Sequence, residues 1–250
     1  MPISSLPSKY GIGTLGQTAR NFIDFLEKSG QTYWQVLPIG PTGYGDSPYQ
    51  SFSSNAGNPY FIDLDDLCEE GYLEKDEYVN ENYGTNPESV DYATLYNTRF
   101  TVLRKAVERI ERIQPEDYVT FLNDNAYWLN DYALFMAEKD DHHGQSYTTW
   151  EDDLRKHKED VLEGERVRLQ KNVEFYIGLQ YFFFHQWKKM REYGREHGVY
   201  LIGDVPIYVS PDSSDIWGNP SLFQLDEDLK PTGVAGCPPD AFAADGQLWG

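Results

Sequence analysis

Val199-Tyr200-Leu201-Ile202-Gly203-Asp204-Val205-Pro206-Ile207-Tyr208-Val209 is the clearest strand signal in the chain, and the fold is read outward from it. The run is apolar through Ile202, as a parallel strand buried on both faces should be. Upstream, a stripe through Val173, Tyr176, Phe183, Trp187 and Met190 predicts one long helix over 165–198. Near the start, Ala19, Phe22, Ile23 and Leu26 fall at i, i+3, i+4 and i+7, which predicts a helix over 16–29 with Gly30 as its stop. Thr32-Tyr33-Trp34-Gln35-Val36-Leu37-Pro38 then reads as a short buried strand ended by Pro and Gly. The opening segment 2–7 is expected to be the tail of an earlier strand. Residues 64–198 are mostly helical, with stripes through Leu95, Tyr96, Phe100, Leu103, Val107 and Ile110, and through Tyr118, Phe121, Leu122, Trp128, Leu129, Tyr132 and Met136. The charged stretch 155–168 reads as a solvated face, and 210–250 as Pro- and Gly-punctuated loop.

The order is strand, helix, strand, helical stretch, strand, long loop, the start of a βα series. A (β/α)8 barrel needs eight strands, and this chain offers two and a fragment. The expected fold is therefore α/β, the first part of a barrel with a helical insertion. The expected divisions are 1–63 for the first βα units, 64–198 for the helical part, and 199–250 for the third strand and the loop after it.

Composition narrows the function classes. Of 250 residues, 21 are basic and 41 acidic, a net charge of −20. That field repels phosphate backbones and anionic lipid, so no nucleic acid or membrane partner is expected, whereas a neutral ligand is not penalised. Two cysteines, Cys68 and Cys237, give no framework of disulfides and no Cys-x-x-Cys site. No apolar run reaches the length of a membrane span, and Met1-Pro2-Ile3-Ser4 does not open a signal peptide. A cytoplasmic protein is expected.

Three places could carry chemistry. The loop Gly43-Tyr44-Gly45-Asp46-Ser47-Pro48-Tyr49-Gln50-Ser51-Phe52-Ser53 follows a strand end, where βα barrels build their active face. Its hydroxyls, carboxylate, amide and rings suit a sugar, which offers hydroxyls at its edges and C–H groups on its faces. Composition alone fits a rigid capping loop equally well. Asp204 ends an apolar strand, where a carboxylate is costly unless it is hydrogen-bonded. Ala235-Gly236-Cys237-Pro238-Pro239-Asp240-Ala241-Phe242, with Gly246-Gln247-Leu248-Trp249-Gly250, has the make-up of a lid. Asp140-Asp141-His142-His143 contains metal-type ligands, but adjacent residues on a polar loop rarely converge on one ion, so no metal is expected. His185 and His197 read as packing or surface residues. No Ser/His/Asp triad, P-loop or dinucleotide fingerprint is present, and no cofactor is expected.

These same places carry a resemblance. Tyr33-Trp34-Gln35-Val36-Leu37-Pro38 running into Gly40-Pro41-Thr42-Gly43-Tyr44-Gly45-Asp46-Ser47-Pro48-Tyr49-Gln50-Ser51 resembles the N-terminal signature of the amylomaltases, the 4-alpha-glucanotransferases of bacteria, and of their plant relatives. Ser5-Leu6-Pro7 with Tyr10-Gly11-Ile12-Gly13 fits that family's first βα turn, 202–209 its third-strand motif, and 234–240 with 246–250 its lid. The resemblance covers the whole chain in order. It implies an α-amylase-superfamily (β/α)8 barrel with helical insertions, of which this chain holds the first part. It also implies retaining transfer of 1,4-alpha-glucan segments to glucose or another glucan. Such a mechanism needs two carboxyl groups about 5–5.5 Å apart. The family's pair falls beyond Gly250, so no catalytic residue is expected in this chain, and the chain alone is expected to be inactive.

The resemblance assigns the substrate shell instead. Tyr49 corresponds to a stacking tyrosine with Ser47 beside it, and Asp204 to the third-strand carboxylate at the same subsite. Phe242 and Trp249 correspond to lid residues, and Tyr44 to a tyrosine of an outer glucan groove. Maltooligosaccharides or other alpha-1,4-glucans are the expected partners. The sequence departs from the family at Ala241, where amylomaltases can carry Tyr before the lid Phe. A hydrolase of the same superfamily and a non-catalytic glucan-binding module are the other readings.

Overall fold

The structure, a computed structural model, describes residues 1–43, 45–86 and 88–248. Helix α1, Gln17–Lys28, buries Ala19, Ile23 and Leu26 as the periodicity predicts. Gly30 turns the chain with φ +68°, a left-handed conformation that favours glycine. Strand β1, Tyr33–Gln35, follows and pairs in parallel with β2, Tyr200–Ile202, in the register Tyr33↔Tyr200, Trp34↔Leu201, Gln35↔Ile202. Tyr200 N–H donates to Thr32 O and Val36 N–H to Ile202 O, extending the ladder at both ends. Trp34 faces inward against the edge of Phe22 at 4.9 Å.

Both expected strands are shorter than their apolar runs. The chain leaves β2 after Ile202, and Val205 and Ile207 are exposed beyond it. The expectation of burial on both faces also fails. Tyr33, Gln35, Tyr200 and Ile202 lie open, because among the described residues only the Trp34 and Leu201 side of the pair is covered by helices. Segment 2–7 is not extended strand but a 3-10 turn over Ile3–Ser5. Its backbone is satisfied locally by Ser5 N–H to Pro2 O and Leu6 N–H to Ile3 O, which removes the need for a neighbouring strand.

Helices fill 64–198 as expected: α2 Leu64–Glu69, α3 Tyr92–Val107, α4 Ile110–Ile113, α5 Tyr118–Asp141, α6 Asp152–Arg155, α7 Glu159–Arg168 and α8 Gln170–Glu196. The single helix expected from 165 is two, broken at Leu169, whose φ/ψ of −102°/16° ends α7. Charged residues of α6 and α7 pair with one another, Arg155 and Lys156 with Asp152 and Arg166 with Glu159, while Leu162 alone of α7 is fully buried. Beyond β2 come α9, Ser214–Gly218, and an antiparallel pair, β3 Gly236–Cys237 with β4 Gln247–Leu248, where loop was expected.

Helix α8 is the spine. Phe175, Tyr176, Leu179, Phe182, Phe183 and Met190 bury one side in the main core. Two glutamines on it, both almost fully buried, act as stand-in main chain. Gln180 accepts from Gly57 N–H at 2.7 Å and donates to Gly57 O at 3.0 Å. Gln186 accepts from Asp63 N–H at 2.6 Å and donates to Asp63 O at 3.0 Å. Gly57 must be glycine here, since a Cβ would sit 1.9 Å from the Phe183 ring. Nearby, the wholly buried Arg99 donates to the carbonyls of Tyr10 and Ile62, and burial pushes its guanidinium down to about 10.

Two outcomes are expected. Gln186→Leu strands the Asp63 N–H in the core and leaves the Asp63 carbonyl only the Leu67 N–H, so urea denaturation should show a loss of about 1–3 kcal/mol. His185 lies between Glu70, 3.3 Å away, and Asp117, 3.5 Å away. The Glu70 hydrogen bond outweighs burial and raises its pKa, with the Lys189 ammonium opposing. A raised folded pKa gives stability that is full below the unfolded value of about 6.5 and fades as pH rises through the folded one. His185→Gln should therefore reduce the stability lost between acidic and alkaline pH in parallel denaturation curves. An unchanged pH dependence would rule the bridge out.

Candidate functional site

The loop after β1 is closed by its own hydrogen bonds. Thr42 and Ser51 form an antiparallel bridge, Gly43 N–H donates to Gln50 O at 3.1 Å, and Ser51 Oγ lies 2.8 Å from both Pro41 O and Ser53 O. Asp46 takes φ +56° near the loop tip, and burial raises its carboxyl above the usual carboxylate range. Ser47 Oγ accepts from Tyr49 N–H at 3.3 Å, capping the turn that presents the Tyr49 ring.

Tyr49 crosses to the loop that follows β2. Its hydroxyl donates to Asp204 Oδ2 at 2.7 Å, the contact that joins the two strand ends. By accepting that bond, Asp204 pushes the Tyr49 hydroxyl above its ordinary value. Both residues line a cavity of about 380 Å3. Val36, Phe184, Trp187 and Val205 supply apolar wall, and Ser54, Asp215 and Arg191 supply polar groups. This mix of apolar lining and a few placed polar groups is the usual make-up of a small-molecule site.

The structure thus brings Tyr49 and Asp204 together. Ser47 supports Tyr49 from one turn back and does not line the cavity. Phe242 stands away from the cavity, 95% exposed, in a turn where its N–H donates to Asp240 Oδ1. Tyr44 and Trp249 lie outside the described residues. Sequence reasoning missed the α8 contribution. Phe183, Trp187 and Arg191 recur every four residues on one face, and Phe183 stacks on Trp187 at 6.2 Å. That spacing was legible as a helix stripe, but nothing in it said which part faced a cavity. Ser54 and Asp215 were missed as well.

Asp140, Asp141 and His142 spend their side chains on protein partners. Asp140 accepts from Tyr176 at 2.8 Å, and Asp141 pairs with Arg168 at 2.9 Å. Glu138, Asp141 and His142 form the one cluster of metal-type ligands among the described residues. The Arg168 guanidinium reaches both carboxylates of that cluster. Burial and the adjacent Glu165 push the Glu138 carboxyl up to about 8. No helix among the described residues is long and apolar enough to cross a membrane.

With this geometry in view, comparison with known proteins is decisive. Residues 1–250 match the family model described as 4-alpha-glucanotransferase. The chain belongs to the 4-alpha-glucanotransferase family. It is 50% identical to the 4-alpha-glucanotransferase of Clostridium butyricum, covering 100% of this chain and 52% of that protein. It is 45% identical to the Thermus thermophilus 4-alpha-glucanotransferase, covering 99% of this chain and 49% of that one. An amylomaltase from Streptococcus agalactiae, solved in complex with acarbose, superposes with a TM-score of 0.95 at 44% identity, covering 100% of this chain and 51% of its own. The chain spans about half the length of the curated relatives it matches.

Proposed function

We propose that this chain forms one wall of the glucan site of an amylomaltase-type 4-alpha-glucanotransferase. The whole enzyme transfers 1,4-alpha-glucan segments to glucose or another 1,4-alpha-glucan, with retention. The observation that carries the reading is the Tyr49–Asp204 hydrogen bond inside the cavity, in a chain of this family. The acarbose held by the Streptococcus agalactiae relative supports an alpha-glucan as ligand.

In this reading β1 and β2 are two neighbouring strands of a (β/α)8 barrel, with 1–63 its first βα units and 64–198 mainly a helical insertion. Residues 199–250 are the third strand and the lid. Tyr49 offers its half-exposed ring to a sugar face, with Ser47 holding the turn. Asp204 accepts from sugar hydroxyls. Phe242, Trp249 and Tyr44 touch glucan further out. The nucleophile and acid/base carboxyls are supplied from beyond Gly250, and the residues of this chain bind and orient substrate.

Incubating the full-length gene product with maltotriose should yield glucose together with longer maltooligosaccharides, whereas glucose and maltose alone would mark a hydrolase and refute the transfer. The 250-residue chain by itself should release no glucose above blank.

Tyr49→Ala removes a stacking platform of the kind worth roughly 1–3 kcal/mol for bases on aromatic rings, so turnover should fall about tenfold to a hundredfold. Asp204→Asn removes a charge-assisted acceptor and should cost a similar factor, about 1.5–3 kcal/mol. Thermal midpoints should barely move in either variant. A sharp drop in midpoint with unchanged turnover per folded molecule would make both residues structural.

A further inference from the structure

The segments that carry Tyr49 and Asp204 also meet beyond the bond between those two residues, at Ser54 and Asp215, which line the same cavity. Ser54 gives its main-chain N–H to Asp215 Oδ2 at 2.8 Å and its hydroxyl to Asp215 Oδ1 at 2.7 Å. Beside it, Ser214 donates both its N–H and its hydroxyl to Phe52 O, at 2.8 and 3.0 Å. We propose that Asp215 is a positioning residue whose carboxylate clasps Ser54 and so fixes the loop that presents Tyr49 to Asp204. This rests on the sugar-binding reading of Tyr49 given above.

The clasp can act this way because it is anchored on both sides. Asp215 lies in the first turn of α9, whose cap Ser213 is fully buried and accepts from Ile216 N–H. Two residues on, Trp217 is buried among Phe135, Trp150 and His157, and its indole N–H donates to Leu154 O at 2.9 Å. The helical layer therefore holds α9 in place. On the other side Tyr49 is five residues from Ser54, and Ser51 bonds Pro41 O and Ser53 O in between. A shift at Ser54 has little slack to absorb it before it reaches Tyr49. A hydrogen bond of 2.7 Å weakens steeply once its angle opens, so a small displacement of the ring breaks the Asp204 contact.

A carboxylate suits this position, since one residue presents two donors and a carboxylate offers two acceptor oxygens. Asn can keep both contacts if its Oδ1 takes the Ser54 N–H and its Nδ2 donates to Ser54 Oγ. Asp215→Asn is therefore the conservative variant and Asp215→Ala the disabling one.

The test is maltotriose disproportionation by the full-length gene product carrying Asp215→Ala, Asp215→Asn, Ser54→Ala, Tyr49→Phe, or Asp215→Ala with Tyr49→Phe. Asp215→Ala should lower kcat/KM about tenfold, the scale of a lost charge-assisted hydrogen bond, and Asp215→Asn should recover most of it. Added to Tyr49→Phe, which already lacks the Asp204 bond, Asp215→Ala should cost no more than about a further twofold, because the two act as one unit. Ser54→Ala, which keeps the main-chain half of the clasp, should show a smaller loss in the same direction and serves if Asp215→Ala does not fold. The clasp is refuted alone if Tyr49→Phe costs activity while Asp215→Ala and Ser54→Ala do not, or if the two losses multiply in full. If Tyr49→Phe costs nothing, the Tyr49–Asp204 bond does not matter and the clasp fails, whereas a silent Tyr49→Ala, which removes the ring itself, overturns the sugar-binding reading and the clasp with it.

Discussion

The loop that carries the site has almost no strand ladder to satisfy its backbone, and the structure answers this with two buried amides. A main chain taken out of water must find partners. Between β1 and α2 most of those partners are the loop's own main chain and side chains, and two buried residues of the segment find theirs on α8. Gln180 and Gln186 each accept from an N–H and donate to the C=O of one loop residue, Gly57 and Asp63. A side-chain amide has the same donor and acceptor pair as a peptide group, so each glutamine offers the loop what a strand neighbour would. The loop is thereby fixed to a 27-residue helix, and the cavity inherits that helix's rigidity. The close seat of Gly57 on Phe183 completes the arrangement.

The second side of the cavity is held by a smaller cluster. Phe135, Tyr147, Trp150, Leu154, Leu162, Ile216 and Trp217 pack α5, α6, α7 and α9 together, with Phe52 of the site loop laid against them. Lys139 ties this cluster to the segment after β2. Its ammonium is nearly buried, yet it donates to Gly144 O, Gln145 O and Asp212, and lies 5.1 Å from the centre of the Phe52 ring. A buried charge with three acceptors and an aromatic face fixes direction as well as distance. The helices of 64–198 thus support the loops that follow the two strands, one side through α8 and the other through α5.

The parts of this fold that were legible in the sequence are those fixed by local periodicity. The α1 stripe, the Gly30 stop and the helical character of 64–198 depend on neighbours a few residues apart. The pairing of Tyr49 with Asp204 spans 155 positions, and it was reached through residue chemistry at two strand ends together with a family resemblance, not through spacing. What could not be read depended on distant partners. The extent of β2 is set by what pairs with it, so its apolar run overstated the strand. Segment 2–7 has strand-like composition but closes local turns. Ser54, Asp215 and the α8 wall were invisible because a serine in a loop, an aspartate at a helix start and an aromatic stripe each have commoner uses.

The donor and acceptor inventory of the cavity points to the kind of ligand it suits. Tyr49 spends its one O–H on Asp204, so toward a ligand its oxygen acts as an acceptor. Asp204 is acceptor-only when ionised, and its Oδ1 has no partner among the described residues. Apart from Arg191, the side chains that line the space are apolar, hydroxyl, amide or carboxylate. Such a wall asks its ligand for hydroxyl donors, and it asks for flat apolar faces where Tyr49 and Trp187 present rings. It repels an anion, as the net charge of the whole chain does. A neutral polyol with alternating hydroxyl edges and C–H faces meets all three conditions, whereas a nucleotide, a carboxylic acid or a lipid headgroup fails at least one.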